Sequence, residues 1–126
     1  MSHCISVYLI SKSEVRDDKI NQVIEEGKTT NIKWTELDNG ILATTYIPNI
    51  REYGKDKTIA KITTDYFGGV GEQTAKLFIN NERVYNGEKG SPINEVLKRM
   101  GVLRKDGMDE YDTIGLGRYR SNQHFK

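Results

Sequence analysis

The sequence predicts an α+β protein, a mainly antiparallel sheet of about five to seven strands with two helices packed on one face. Ile5, Val7 and Leu9 alternate with Ser6 and Tyr8, the period of a half-buried strand. Asn39-Gly40 stands between two apolar runs and is the strongest short hairpin signal, which favours antiparallel pairing. Ser91-Pro92 opens a stretch in which Ile93, Val96, Leu97 and Met100 recur on one helical face, and Gly101 stops it.

The first strand covers roughly residues 4–10. Ser11 and Glu14 have capping-box spacing, Ile20, Val23 and Ile24 recur at helical spacing, and Gly27 is a natural stop, so a helix is expected over about 12–26. Ile32 and Trp34 alternate with polar residues and lead into Asn39-Gly40. Ile41 to Ile47 forms the return strand, ended by Pro48. A polar loop follows from Asn49 to Lys57. Thr58 to Tyr66 is rich in β-branched residues and runs as a strand into Gly68 and Gly69. After Gly71 the chain can open a helix or continue as a strand. Ala75, Leu77 and Ile79 alternate with Thr74, Lys76 and Phe78, and Asn80-Asn81 precedes Arg83-Val84-Tyr85, which favours a second hairpin. Ser91 is expected to cap the helix that Pro92 begins. In the polar segment from about 104 to 126, Tyr111 to Leu116 reads as a short strand.

The chain has 126 residues, which corresponds to a single domain, 1–126. No apolar run approaches the roughly 18 residues of a membrane span, so no membrane association is expected. The net charge of +1 lacks the basic excess of a dedicated DNA or RNA binder. One cysteine, Cys4, permits no intramolecular disulfide. Together with a start that passes directly into a strand, it points to a reducing cytoplasmic setting. Cys4 lies in an apolar run and reads as an inert core thiol. The two histidines, His3 and His124, stand at opposite ends, which argues against a histidine triad or a multi-histidine metal centre. The acidic cluster Asp106, Asp109, Glu110 and Asp112 lacks the register of a calcium loop. Neither metal nor cofactor is expected.

Two glycine-punctuated segments carry the functional reading. In the first, Tyr66-Phe67-Gly68-Gly69-Val70-Gly71-Glu72-Gln73, backbone amides can cradle a phosphate while Tyr66 or Phe67 stacks on a base. It lacks the lysine and hydroxyl of a Walker loop and the full dinucleotide fingerprint. Its structural alternative is a turn or bulge between strands. In the second, Gly115-Leu116-Gly117-Arg118-Tyr119-Arg120, the two arginines lie two apart on an extended chain and offer paired guanidinium forks. Their alternative partner is the local acidic cluster. Arg51 adds a cation from the polar loop.

The expected ligand-binding set is therefore Tyr66, Phe67, Gly68, Gly69, Gly71, Gln73, Arg118, Arg120 and Arg51. The expected function is non-enzymatic: holding or sequestering a small anionic ligand, above all a nucleotide or cyclic nucleotide signal. The alternatives are a protein-binding inhibitor of the toxin-neutralising immunity type and a small hydrolase using Asp65 or Glu72 as base. Size and composition are those of many bacterial and phage accessory proteins, an analogy that assigns no function. Exposed hairpin edges also make a homo-oligomer an expected possibility.

Overall fold

The computed structural model describes residues 2–15, 22–25, 28–48, 50–67, 70–88, 90–119 and 121. Among the described residues eight strands form: β1 (Ser2–Ser11), β2 (Gln22–Glu25), β3 (Lys28–Asn31), β4 (Thr35–Glu36), β5 (Ile41–Thr44), β6 (Thr58–Phe67), β7 (Val70–Ile79) and β8 (Glu82–Gly87). The described residues also hold three α-helical segments: α1 (Ile50–Tyr53), α2 (Pro92–Arg99) and α3 (Glu110–Thr113). Six strands make one antiparallel sheet in the order β4-β5-β1-β6-β7-β8, and β2 pairs with β3 apart from it. The fold is α+β, as the hairpin signals imply.

Turn chemistry sets the registers. Asn80 and Asn81 take φ of 50° and 67°, so Ile79 pairs with Glu82 across a two-residue turn. Asn39 and Gly40 take φ of 63° and 74° in the turn that brings Leu37 back against Ile41. Phe67 pairs with Val70, so the strands on either side of Gly68 and Gly69 are hydrogen-bonded neighbours, while these two glycines lie outside the described residues. Gly71 sits opposite Tyr66, and a Cβ there would collide with the Asp65 carbonyl oxygen.

Alternation divides the sheet into two faces. Val7, Leu9, Ala60, Ile62, Ala75 and Leu77 point to one face and pack beneath Ile93, Val96 and Leu97 of α2, joined by Ile114 and Leu116. A smaller cluster on the other face gathers Ile10, Leu42, Ile47, Tyr53 and Ile59, with Trp34 half-buried against it. The segment from Ile32 to Tyr53 therefore covers only one end of the second face.

Three expectations change. The helix expected over about 12–26 is a 3-10 turn at Lys12–Glu14, followed by strand at Gln22–Glu25; residues 16–21 lie outside the described set. Ser11 ends β1 and makes no side-chain cap, and the Glu14 carboxylate accepts the Thr58 N–H at 3.2 Å instead of closing a capping box. Glu25 pairs with Lys28, so Gly27, read as a helix stop, falls between paired strands and outside the described residues. The strand expected at Tyr111–Leu116 is helix α3 and a 3-10 turn at Leu116–Arg118. Asp109 explains the helix: its side chain accepts the Asp112 N–H at 2.8 Å, an N-cap formed from the acidic cluster. Finally, Ser91 occupies the N-cap position of α2 without a side-chain cap. Gln73 Oε1, on the neighbouring strand, accepts the Ile93 N–H at 3.0 Å and serves in its place.

Candidate functional site: a cationic pocket on the open sheet face

The part of the second face that no other described element covers is built from β1, β6 and β7 in strict register. Tyr8, Lys61 and Lys76 form one row, Ser6, Thr63 and Thr74 the next, and Cys4, Asp65 and Glu72 the third. Thr63 and Thr74 are hydrogen-bonded through their hydroxyls. Cys4 is exposed rather than buried, because even-numbered residues of β1 face away from the main core. Its thiol donates to Asp65 Oδ1 at 3.5 Å. Desolvation against the sheet, and then the bond to Asp65 and its charge, push the thiol pKa up, so the group is a poor nucleophile although its residue is exposed.

Where this face meets α1 it deepens into a pocket of about 600 Å³. Four cationic residues line it: Arg51 from α1, Lys57 from the following link, Lys61 from β6 and Lys76 from β7. Tyr8, Phe78, Ile50 and Ile59 supply apolar walls, and no carboxylate is among the described lining residues. The wall is tied to the sheet through the β7–β8 turn. Asn81 Nδ2 donates to the Arg51 carbonyl oxygen at 2.8 Å, and the Asp56 N–H donates to Asn80 Oδ1 at 3.0 Å.

The electrostatics of the pocket are unbalanced. Lys61 and Lys76 are directly opposite across the β6–β7 ladder, an arrangement that repels. Lys61 Nζ lies 4.2 Å from the Tyr8 ring centroid, and Lys57 Nζ lies 4.5 Å from that of Tyr53, so each ammonium rests on an aromatic face. Partial burial, and secondly the charge of Lys76, lower the Lys61 pKa from the ordinary 10.5. Beneath the wall the Tyr53 hydroxyl is buried without a hydrogen-bond partner among the described residues. Burial, and then the Glu14 charge, push its phenol pKa upward.

Of the residues expected to bind a ligand, Arg51 lines this pocket. Tyr66 and Gln73 lie on the other face, in a second pocket of about 380 Å³ that also includes Gly117. The two glycine segments thus approach each other there, and polar groups around them are hydrogen-bonded within the protein. Gln73 Nε2 donates to the Tyr66 hydroxyl at 3.1 Å, and Asn94 bridges Asp109 and the Tyr111 N–H. His3, at the back of this pocket, bonds Thr64 Oγ1 and the Tyr111 hydroxyl, each at 2.7 Å. Nε2 also lies 3.4 Å from the Leu116 carbonyl oxygen, and the Thr64 hydroxyl lies 3.0 Å from the His3 carbonyl oxygen, so the ring is tied to β6, α3 and the turn after it. Arg118 lines neither pocket. It pairs with Asp38 at 3.1 Å, and its Nε donates to the Gly115 carbonyl oxygen. Gly71 lies in β7 opposite Tyr66, next to the last pair of the β6–β7 ladder. Gly68, Gly69, Arg120 and the side chain of Phe67 lie outside the described set. Asp65 and Glu72 are cross-strand neighbours, both exposed.

Lys57, Lys61, Lys76, Tyr8 and Phe78 are absent from the expected set. The signal for three of them is present in the sequence: once Phe67 pairs with Val70, the period-two register puts Lys61 opposite Lys76 and Ile59 opposite Phe78. The long-range pairing of β1 with β6, which adds Tyr8, has no such local cue.

Among the described residues no group of three histidine, cysteine, aspartate or glutamate side chains stands close enough to hold a metal, and no helix is long and apolar enough to cross a membrane. Fold and site together define an α+β sheet protein with one helix-covered face and one open, cationic-pocketed face. Comparison of the chain with protein-family models, curated proteins and solved structures finds no match.

Proposed function

We propose that this protein binds a small anionic ligand, a nucleotide or cyclic nucleotide by class, in the pocket between α1 and the open sheet face. The observation that carries the reading is the convergence of Arg51, Lys57, Lys61 and Lys76 on one pocket, including a directly opposed lysine pair. Such a pair is unfavourable in the free protein and becomes favourable when an anion lies between the ammonium groups. A polyphosphate matches the charge, and Arg51 adds a planar fork. Phe78 and the isoleucines offer an apolar surface for a base. The pocket volume of about 600 Å³ falls within the range of small-molecule sites. The role that follows is sequestration, with the ligand held and left chemically unchanged.

A thermal-shift screen over nucleoside mono-, di- and triphosphates and cyclic dinucleotides tests this directly. A ligand at a hundred times its dissociation constant stabilises the fold by about 2.7 kcal/mol. The shift is expected to shrink with added salt and to be lost in Lys61→Met/Lys76→Met. A screen without a single shift, or a shift that survives the double substitution, overturns the reading.

A further inference from the structure

We infer that the open sheet face is a self-complementary surface through which two copies of this chain associate about a two-fold axis. The warrant is the order of charge along the strands. Lys61 and Lys76 face each other in one row, Asp65 and Glu72 in another, and the hydroxyl row of Ser6, Thr63 and Thr74 lies midway. Each charged row sets like charges directly opposite, which repels within the sheet. Pairing lysine with carboxylate across the ladder would have removed both repulsions, yet the chain segregates its charges by row. Among the described residues none of these four side chains is in an ion pair.

A second copy relieves both rows at once. Place a two-fold axis in the plane of the face, along the hydroxyl row. The operation reverses strand direction and keeps each strand over its own counterpart. Rows two residues either side of the axis, at about 7 Å, then exchange places. Lys61 lies over Asp65 of the second copy and Lys76 over Glu72 of the second copy, with the reciprocal pairs completing an isologous contact. The Thr63 and Thr74 hydroxyls meet their counterparts at the centre.

Three strands about 4.8 Å apart and this span of rows give a patch of a few hundred Å², below the roughly 800 Å² per partner of a standard interface. The association is therefore transient and sensitive to salt. The same lysines line the pocket, so a bound anion and a second copy compete. The dimer itself rests on the charge rows and stands whether or not a nucleotide binds.

The test is sedimentation velocity on the full chain in ligand-free buffer. The wild type is expected to dimerise reversibly, at least about 10-fold more weakly when ionic strength rises from about 0.02 M to about 0.5 M. Lys61→Glu/Lys76→Glu makes the whole face acidic, and Asp65→Lys/Glu72→Lys makes it basic. Each variant alone is expected to associate about 100-fold more weakly or not at all. Mixed one to one, they are expected to form a heterodimer at least as tight as the wild-type dimer. Circular dichroism confirms that both are folded. Three results overturn the inference: a wild type monomeric up to about 1 mM, charge-reversed variants that self-associate as the wild type does, or a mixture that stays monomeric.

Discussion

Replacing Lys61 with methionine separates the cost of the lysine pair from its use. Methionine keeps the length of the aliphatic stem and removes the charge. In the free protein two effects oppose each other. Loss of the repulsion from Lys76 stabilises by about 0.2–1 kcal/mol, the scale of a cross-strand pair. Loss of the ammonium from the Tyr8 face, 4.2 Å away, destabilises by about 0.5–1 kcal/mol. The expected net change in unfolding free energy is within about 1 kcal/mol of zero, with either sign. Ligand affinity has no such cancellation. A hydrogen bond to a charged group contributes about 1.5–3 kcal/mol, so the dissociation constant of a nucleotide is expected to rise about 10- to 150-fold. Urea melts measure the first quantity and titration calorimetry the second. A double-mutant cycle with Lys76→Met completes the test, because the lysines should couple unfavourably in the free protein and favourably with ligand bound. Unchanged affinity in Lys61→Met, alongside real binding by the wild type, would refute the assignment of the pocket.

Gln73→Ala is expected to destabilise α2 by about 1 kcal/mol in denaturant melts, whereas Ser91→Ala should change stability by no more than a few tenths, since Gln73 holds the Ile93 N–H. Gly71→Ala should cost more than about 2 kcal/mol, because its φ of +158° and the Asp65 carbonyl leave no room for a Cβ; a near-silent substitution would mean the hairpin is paired differently. Arg118→Ala removes an exposed ion pair with Asp38 and should cost less than about 1 kcal/mol while leaving nucleotide affinity intact, as calorimetry would show. The lowered Lys61 pKa has a pH signature. The unfolded chain holds this proton more tightly, so the penalty is fully present at lower pH and is relieved as pH rises through the lowered value toward 10.5. Subtracting the stability profile of Lys61→Met from that of the wild type should leave a difference that climbs with pH in that alkaline window. The raised Tyr53 pKa acts in both proteins and cancels.

Much of the architecture was legible because its causes are local. Asn80-Asn81 and Asn39-Gly40 could be read as turns because asparagine and glycine tolerate φ > 0, which they adopt here. Alternation in residues 58–66 and 74–79 could be read as strand because a period of two puts every second side chain in the core. The stripe of Ile93, Val96 and Leu97 marked α2 for the same kind of reason. The segment after Ser11 was not legible. Its capping-box spacing was genuine, but Glu14 is drawn off by the Thr58 N–H, 44 residues away, and tertiary context overrode the local signal. The cap of α2 likewise comes from Gln73 on a strand, a contact that no spacing rule contains. Arg118 found a carboxylate at Asp38, 80 residues distant, where the sequence offered a nearer acidic cluster.

The sequence by itself determined the fold class, the turns at Asn39-Gly40 and Asn80-Asn81 and the alternation of β6 and β7, because those follow from backbone preference and burial over short stretches. Only the tertiary structure decided where the cations gather. Arg51, Lys57, Lys61 and Lys76 come from a helix, a link and two strands, and they share a pocket because α1 is held against the β7–β8 turn. The Lys61–Lys76 opposition follows from the β6–β7 register, whereas bringing Arg51 and Lys57 to it is a property of long-range packing that no local pattern contains.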